Sequence, residues 1–261
     1  MWMRRSSNGR RLALAALAGL AFAPPSPASA EPRVKFNAAQ AQESPAAAPI
    51  QAYLTRPGGE GPFPALVLLH SCLGVPANKT SIGEMFAGWG YVALLVDDFT
   101  TRGLRETCAA DFGDGAADAF GALAYLSRLS YVDAKRIAVI GYSQGGDTAL
   151  QIASMRSPAA FKAAAAFYPP CQNQADAKLK IPTLILIGQA DDVTPAADCE
   201  RLARGQPNVK LVVYPGAYHL FDDPALAAVK RLFGMRLQYD AGAAEQSRSE
   251  LRDFLAAKLA R

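Results

Sequence analysis

The stretch Gly141-Tyr142-Ser143-Gln144-Gly145 constrains this chain most. It matches G-x-S-x-G and lies between a strand-like run, Arg136 to Ile140, and a helix-like run, Gln144 to Met155. On so tight a strand-to-helix turn the serine is strained and its hydroxyl is lifted above the sheet. Glycines flank it because side chains there would collide with the neighbouring strand and helix. The plain alternative is a helix-capping serine in a Gly-rich turn. The chemical reading requires a mostly parallel sheet, with functional residues at the carboxyl ends of its strands.

The rest of the chain fits that requirement. Ala65 to Leu69, Tyr91 to Val96, Ala163 to Tyr168, Thr183 to Ile187 and Lys210 to Tyr214 are short apolar runs of strand length. Between and after them, Lys79 to Trp89, Asp114 to Leu129, Ala196 to Arg204 and Glu245 to Leu259 read as helices, the last with Leu251, Phe254, Leu255 and Leu259 on one face. The pattern predicts an α/β fold, a mostly parallel central sheet with helices on both faces. Only Pro169 to Ile181 separates two of the strands, which leaves no room for a large lid domain.

A serine hydroxyl needs a base beside it. The chain has two histidines, His70 and His219, which also excludes a multi-histidine metal site. His219 follows the strand ending at Tyr214 and comes after Ser143, in the Ser…Asp…His order expected of a nucleophile on this kind of turn. His70 precedes Ser143 and reads as structural, near the site. The orienting acid is expected in Gly188-Gln189-Ala190-Asp191-Asp192-Val193-Thr194-Pro195. The spacing G-x-x-D-x-x-x-P favours Asp191, and leaves Asp192 to cap the following helix. Two backbone N–H groups must hold the oxyanion. Gln144 supplies one, and Cys72, in the loop after the first buried strand, is the candidate for the other.

Charge and cysteines bear on compartment and partners. The first 30 residues carry Arg4, Arg5, Arg10 and Arg11 and no acid; without them, 23 bases face 23 acids. A balanced folded part offers no reason to expect nucleic acid as a partner. Residues 1–30 read as a signal peptide: the arginines, then the apolar run Leu12 to Ala23, then Ala28-Ser29-Ala30. The apolar run is too short to span a bilayer comfortably. The protein is therefore expected to be exported, periplasmic or secreted, by the Sec or the twin-arginine route. Residues 31–49, rich in Ala, Pro and Gln, read as a flexible arm, and 50–261 as the folded domain. Four cysteines in an oxidising compartment imply disulfides, with three pairings open.

From about Pro49 to Leu259 the chain resembles the dienelactone hydrolase family of the α/β-hydrolase fold. The resemblance is carried by Gly141 to Gly146, by Gly188 to Pro195, by Tyr218-His219-Leu220-Phe221-Asp222-Asp223-Pro224 and by Tyr239-Asp240-Ala241 with Phe254-Leu255. It implies a cofactor-free hydrolase acting on a small-molecule ester or lactone. Two departures matter. Ser143 stands where well-known members carry a nucleophilic cysteine, and Ser71 where they carry the glutamate that activates it. Thiolate-switch chemistry is therefore not transferred, and dienelactone itself is a doubtful substrate. The resemblance also implies that Arg102 meets a substrate carboxylate, although a loop arginine is ordinarily a salt-bridge partner. Tyr142 stands beside the nucleophile as a candidate substrate contact. With strands placed in this way, Cys72 with Cys108 and Cys171 with Cys199 each flank consecutive strands at the carboxyl edge, and these are the favoured pairs. Acyl transfer on the same triad, and a non-catalytic binding protein on a hydrolase scaffold, are the rival functions.

Overall fold

The computed structural model describes residues 29–30, 33–38, 49–109, 113–156, 161–232 and 234–260. The expected leader up to residue 28 lies outside the described residues.

Eleven strands and five helices follow one another among these residues. The strands are β1 (Ser29–Ala30), β2 (Val34–Phe36), β3 (Ile50–Arg56), β4 (Phe63–Leu69), β5 (Val92–Asp97), β6 (Val132–Tyr142), β7 (Ala163–Phe167), β8 (Thr183–Gly188), β9 (Val209–Tyr214), β10 (Lys230–Leu232) and β11 (Met235–Leu237). The helices are α1 (Lys79–Gly88), α2 (Gly115–Leu126), α3 (Gln144–Ser154), α4 (Ala196–Ala203) and α5 (Ala241–Lys258). The main sheet runs β1-β3-β5-β4-β6-β7-β8-β9, with β2 also paired to β3. From β5 across to β9 every pairing is parallel, while β3 joins β5 antiparallel.

Burial explains the strand composition. Every residue of β5, β7 and β8 is buried, as a strand covered on both faces requires. Ile140, Leu66, Leu94 and Phe167 are among the fully buried side chains, each stabilising the fold by about 1.5–3 kcal/mol. The chain passes from β4 to β5 in one direction, then returns over β4 to β6 and on to β9. Right-handed crossovers then put α1 on one face and α2, α3 and α4 on the other. α5 joins the α1 face, where the Arg252 guanidinium lies 5.8 Å from the centre of the Trp89 ring.

The strand order reverses between β4 and its neighbours, so the carboxyl ends of β4 and β6 open onto one crevice, the usual ligand position in such sheets. No inserted domain interrupts the path from β7 to β8, which holds only a short turn at Cys171–Gln174.

Some local expectations need correction. Val34–Phe36, within the segment read as a flexible arm, forms β2 and pairs with Ile50 to Ala52. α5 begins at Ala241, earlier than its apolar face suggested, because the Asp240 carboxylate accepts a hydrogen bond from the Ala243 N–H at 2.9 Å and caps it. The hairpin β10–β11 was not foreseen.

Candidate active site

The turn after β6 is built from steric exclusion. A Cβ on Gly141 would collide with the Gly145 carbonyl, and one on Gly145 would lie 2.5 Å and 2.6 Å from the carbonyl oxygens of Leu69 and His70. The two glycines let the turn fold on itself and press against the end of β4. Ser143 pays in backbone strain, with φ 52° and ψ −113°.

This turn aims the Ser143 hydroxyl at His219. Oγ lies 3.0 Å from Nε2, and Nδ1 lies 2.8 Å from Asp191 Oδ2. The Asp191 carboxylate accepts, so Nδ1 carries the ring proton and Nε2 is left to accept from Ser143. All three residues are buried. The structure thus brings together Ser143, His219 and Asp191 from the ends of β6, β9 and β8.

Asp192 points elsewhere: its Oδ1 faces the Arg236 N–H at 3.4 Å. The capping role expected for it is not made, since α4 begins without a side-chain cap.

Thr194 is a member of the cluster that the sequence reading passed over. Its hydroxyl lies 2.9 Å from Asp191 Oδ2, 3.2 Å from the Tyr168 carbonyl and 3.3 Å from His219 Nδ1. Its N–H and that of Val193 both donate to Asp191 Oδ1 at 2.9 Å. Asp191 is therefore clamped by its own turn. The offset Asp-x-x-Thr, a frequent side-chain-to-backbone turn pattern, was the available signal.

Tyr168 also escaped notice. It has φ 37°, its ring meets His219 edge-on with centres 4.8 Å apart, and its hydroxyl donates to Asp222 Oδ1 at 2.8 Å. Burial pushes the Asp222 carboxyl up to about 6; the Tyr168 bond pulls partly back. Ionising Asp222 therefore costs the folded state. That cost is absent below about pH 4, grows as pH rises through about 6 and is complete above it. Asp222→Asn keeps an acceptor for Tyr168 and removes the charge. We expect it to melt higher than the parent at pH 8 and alike at pH 4, in calorimetric scans. A variant that loses Tm at pH 8 relative to pH 4 would contradict this.

The remaining site residues sit around the crevice. Tyr142 stacks on Phe167, 4.8 Å between centres, and burial pushes its phenol up. His70 lies at the end of β4, with Nε2 2.8 Å from Asp98 Oδ1 and Nδ1 2.8 Å from the Ser71 carbonyl. Burial works to lower its pKa, but Asp98 and the carbonyl more than offset this and hold it above its ordinary value.

Arg102 forms a two-pronged pair with the buried Asp118, at 2.7 Å and 2.9 Å. It is engaged as a salt-bridge partner, the alternative to the substrate-carboxylate contact that the resemblance implied.

The disulfides join Cys72 to Cys108 and Cys171 to Cys199. Cys72 lies in the loop after β4 and Gln144 is the first residue of α3, so both candidate oxyanion donors follow the carboxyl ends of adjacent strands, β4 and β6. Among the described residues, no cluster of His, Cys, Asp and Glu is arranged to hold a metal ion, and no helix is long and apolar enough to cross a membrane.

The sequence model of the dienelactone hydrolase family matches residues 50–259. The chain belongs to that family. Among curated relatives, it is 28% identical over 135 residues to cutinase 1 of Thermobifida cellulosilytica, a match covering 52% of this chain and 50% of the cutinase. It is 32% identical over 193 residues to an uncharacterised protein of Mycobacterium tuberculosis, covering 65% of this chain and 66% of that one. The chain thus spans between half and two thirds of these relatives. The fold resembles the crystal structure of a dienelactone hydrolase-like promiscuous phosphotriesterase from metagenomic libraries. There the TM-score is 0.67 at 20% identity, with 89% of this chain and 99% of that one covered.

Proposed function

We propose that this member of the dienelactone hydrolase family is a serine carboxylic ester hydrolase, acting on small esters or lactones through an acyl-enzyme. The observation that carries the reading is the unbroken path from Ser143 Oγ to His219 Nε2, 3.0 Å, and from His219 Nδ1 to Asp191 Oδ2, 2.8 Å. Ser143 Oγ attacks the ester carbonyl while Nε2 takes its proton. The carbonyl π electrons pass to oxygen, and the oxyanion is held by the N–H groups of Gln144 and Cys72. The imidazolium, steadied by Asp191, gives its proton to the departing alcohol as the C–O bond breaks. Water, deprotonated by His219, then attacks the acyl group, and its collapse returns Ser143 and releases the acid.

Ser143 in place of a thiol, and Ser71 in place of an activating glutamate, support an ordinary serine mechanism. The name of the cutinase relative supports an ester as substrate. The engagement of Arg102 with Asp118 supports substrates that need no carboxylate anchor there. Export after removal of residues 1–30 is part of the proposal. The basic and apolar leader supports it, as do two disulfides, which persist in oxidising compartments.

A fluorophosphonate probe and a nitrophenyl butyrate assay test the reading together. The probe is expected to label Ser143 and to abolish ester turnover in proportion to labelling. An enzyme that turned over the ester with Ser143 unlabelled, or did neither, would overturn the proposal.

A further inference from the structure

Both oxyanion donors of the proposed mechanism touch one residue, Thr107, which the mechanism does not use. Thr107 is buried. Its N–H donates to the Cys72 carbonyl at 2.9 Å, and its hydroxyl donates to the Gln144 side-chain oxygen, Oε1, at 2.8 Å. Its neighbour Cys108 is bonded covalently to Cys72, with Cα atoms 4.9 Å apart. Two residues earlier, the Arg105 carbonyl packs against Gly74, where an added Cβ would meet it at 3.1 Å. One short segment therefore grips the loop after β4 by a covalent bond, a hydrogen bond and packing. It also reaches across the crevice to the start of α3.

We propose that Thr107 is a positioning residue that locks the two halves of the oxyanion hole, Cys72 and Gln144, into one rigid body. The inference rests on the serine-hydrolase reading above. The two donors come from separate elements: backbone packing of Gly145 on the Leu69 and His70 carbonyls seats the helix start against the end of β4, while Cys72 lies beyond that contact, in the loop that follows. A single disulfide still lets its loop pivot about the sulfurs. The Thr107 N–H removes that freedom on the Cys72 side, and the hydroxyl carries the constraint to Gln144. Oxyanion stabilisation is sensitive to such placement: loss of one donor costs about 10²–10³ in kcat, and functional groups must be held within about 0.5 Å of the productive geometry. Misplacing a donor should cost a part of that loss.

Thr107→Val keeps shape and backbone and deletes the bond to Gln144. We expect kcat on nitrophenyl butyrate to fall about ten- to a hundredfold with KM changed less than about threefold. The rate of fluorophosphonate labelling should fall by a like factor, because its tetrahedral product places an oxygen in the same hole. Thr107→Ser should recover most of kcat. Gln144→Leu removes the same bond from the other side while keeping the donor N–H, and serves if Thr107→Val does not fold. The double variant should lose no more than either single one. A purely structural threonine would move Tm and leave kcat per folded enzyme unchanged.

Thr107→Val with kcat within about twofold of the parent, or a Ser variant as impaired as Val, would overturn the inference. Additive losses in the double variant would do the same. Ser143→Ala assayed in parallel separates the two levels. If it stays active, the serine mechanism itself fails; if it is inactive while Thr107→Val is silent, only the role of Thr107 does.

Discussion

Ser143→Ala is expected to lower kcat on a nitrophenyl ester by about 10⁴-fold or more, down to what binding and the oxyanion donors supply without a nucleophile. The fold should survive, because the turn is held by backbone contacts: the Ser143 N–H donates to the Phe167 carbonyl at 2.9 Å, and its carbonyl accepts from Asp147 N–H at 3.0 Å. Alanine inherits the strained φ of 52° and relieves nothing. Glycine would relieve it. Ser143→Gly should be equally inactive yet more stable than Ser143→Ala, by about 1 kcal/mol. Chemical denaturation of the two variants reads the difference, and the ester assay reads the loss. Retention of more than about a hundredth of the parent's turnover by Ser143→Ala would remove the serine from the mechanism.

The second large effect separates two adjacent carboxylates. Asp191→Asn is expected to cut kcat about 10³–10⁴-fold. It can offer an N–H to His219 Nδ1, which favours the tautomer with the proton on Nε2, the atom that must accept from Ser143. It also leaves the developing imidazolium without a counter-charge. Asp192→Asn should stay within about threefold of the parent, because its oxygen faces the Arg236 N–H at 3.4 Å rather than His219, and a side-chain amide oxygen can accept there as well. Equal losses in the two variants would mean that the pair acts jointly, contrary to the geometry.

Why the two acids looked alike in sequence is physical. Spacing favoured Asp191, but only the folded loop shows which carboxylate turns inward. Ser143 and His219 were easier, since a strand-turn-helix context and chain order confine each to one position. Thr194 leaves a local trace, the Asp-x-x-Thr offset, whereas Tyr168 and Thr107 were harder because their roles lie in contacts between distant segments. The 2.8 Å bond from Thr107 to Gln144 spans 37 residues and leaves no local trace. The same reasoning separates the elements. β5, β7 and β8 are buried on both faces and read as continuous apolar runs. β2 is three residues long and mostly polar or half-exposed, so it had no period to show. The start of α5 is a run of alanine and glycine behind the Asp240 cap, without an amphipathic face.

The short strands β1 and β2 have a consequence beyond topology. β3 would otherwise close the sheet with a long row of open N–H and C=O groups, a template on which a second chain could add edge to edge. β2 covers Ile50 to Ala52 and β1 covers Thr55 and Arg56. Cleavage after Ala30 would strip β1 and leave β2 to guard one end. The bared end carries Arg56, whose guanidinium lies 4.7 Å from the centre of the Tyr131 ring, and a fixed charge at a sheet border is itself a deterrent to pairing. A chain shortened to begin at Ile50 would retain the whole triad and lose both shields. Its first weakness would be self-association, with the chemistry still intact.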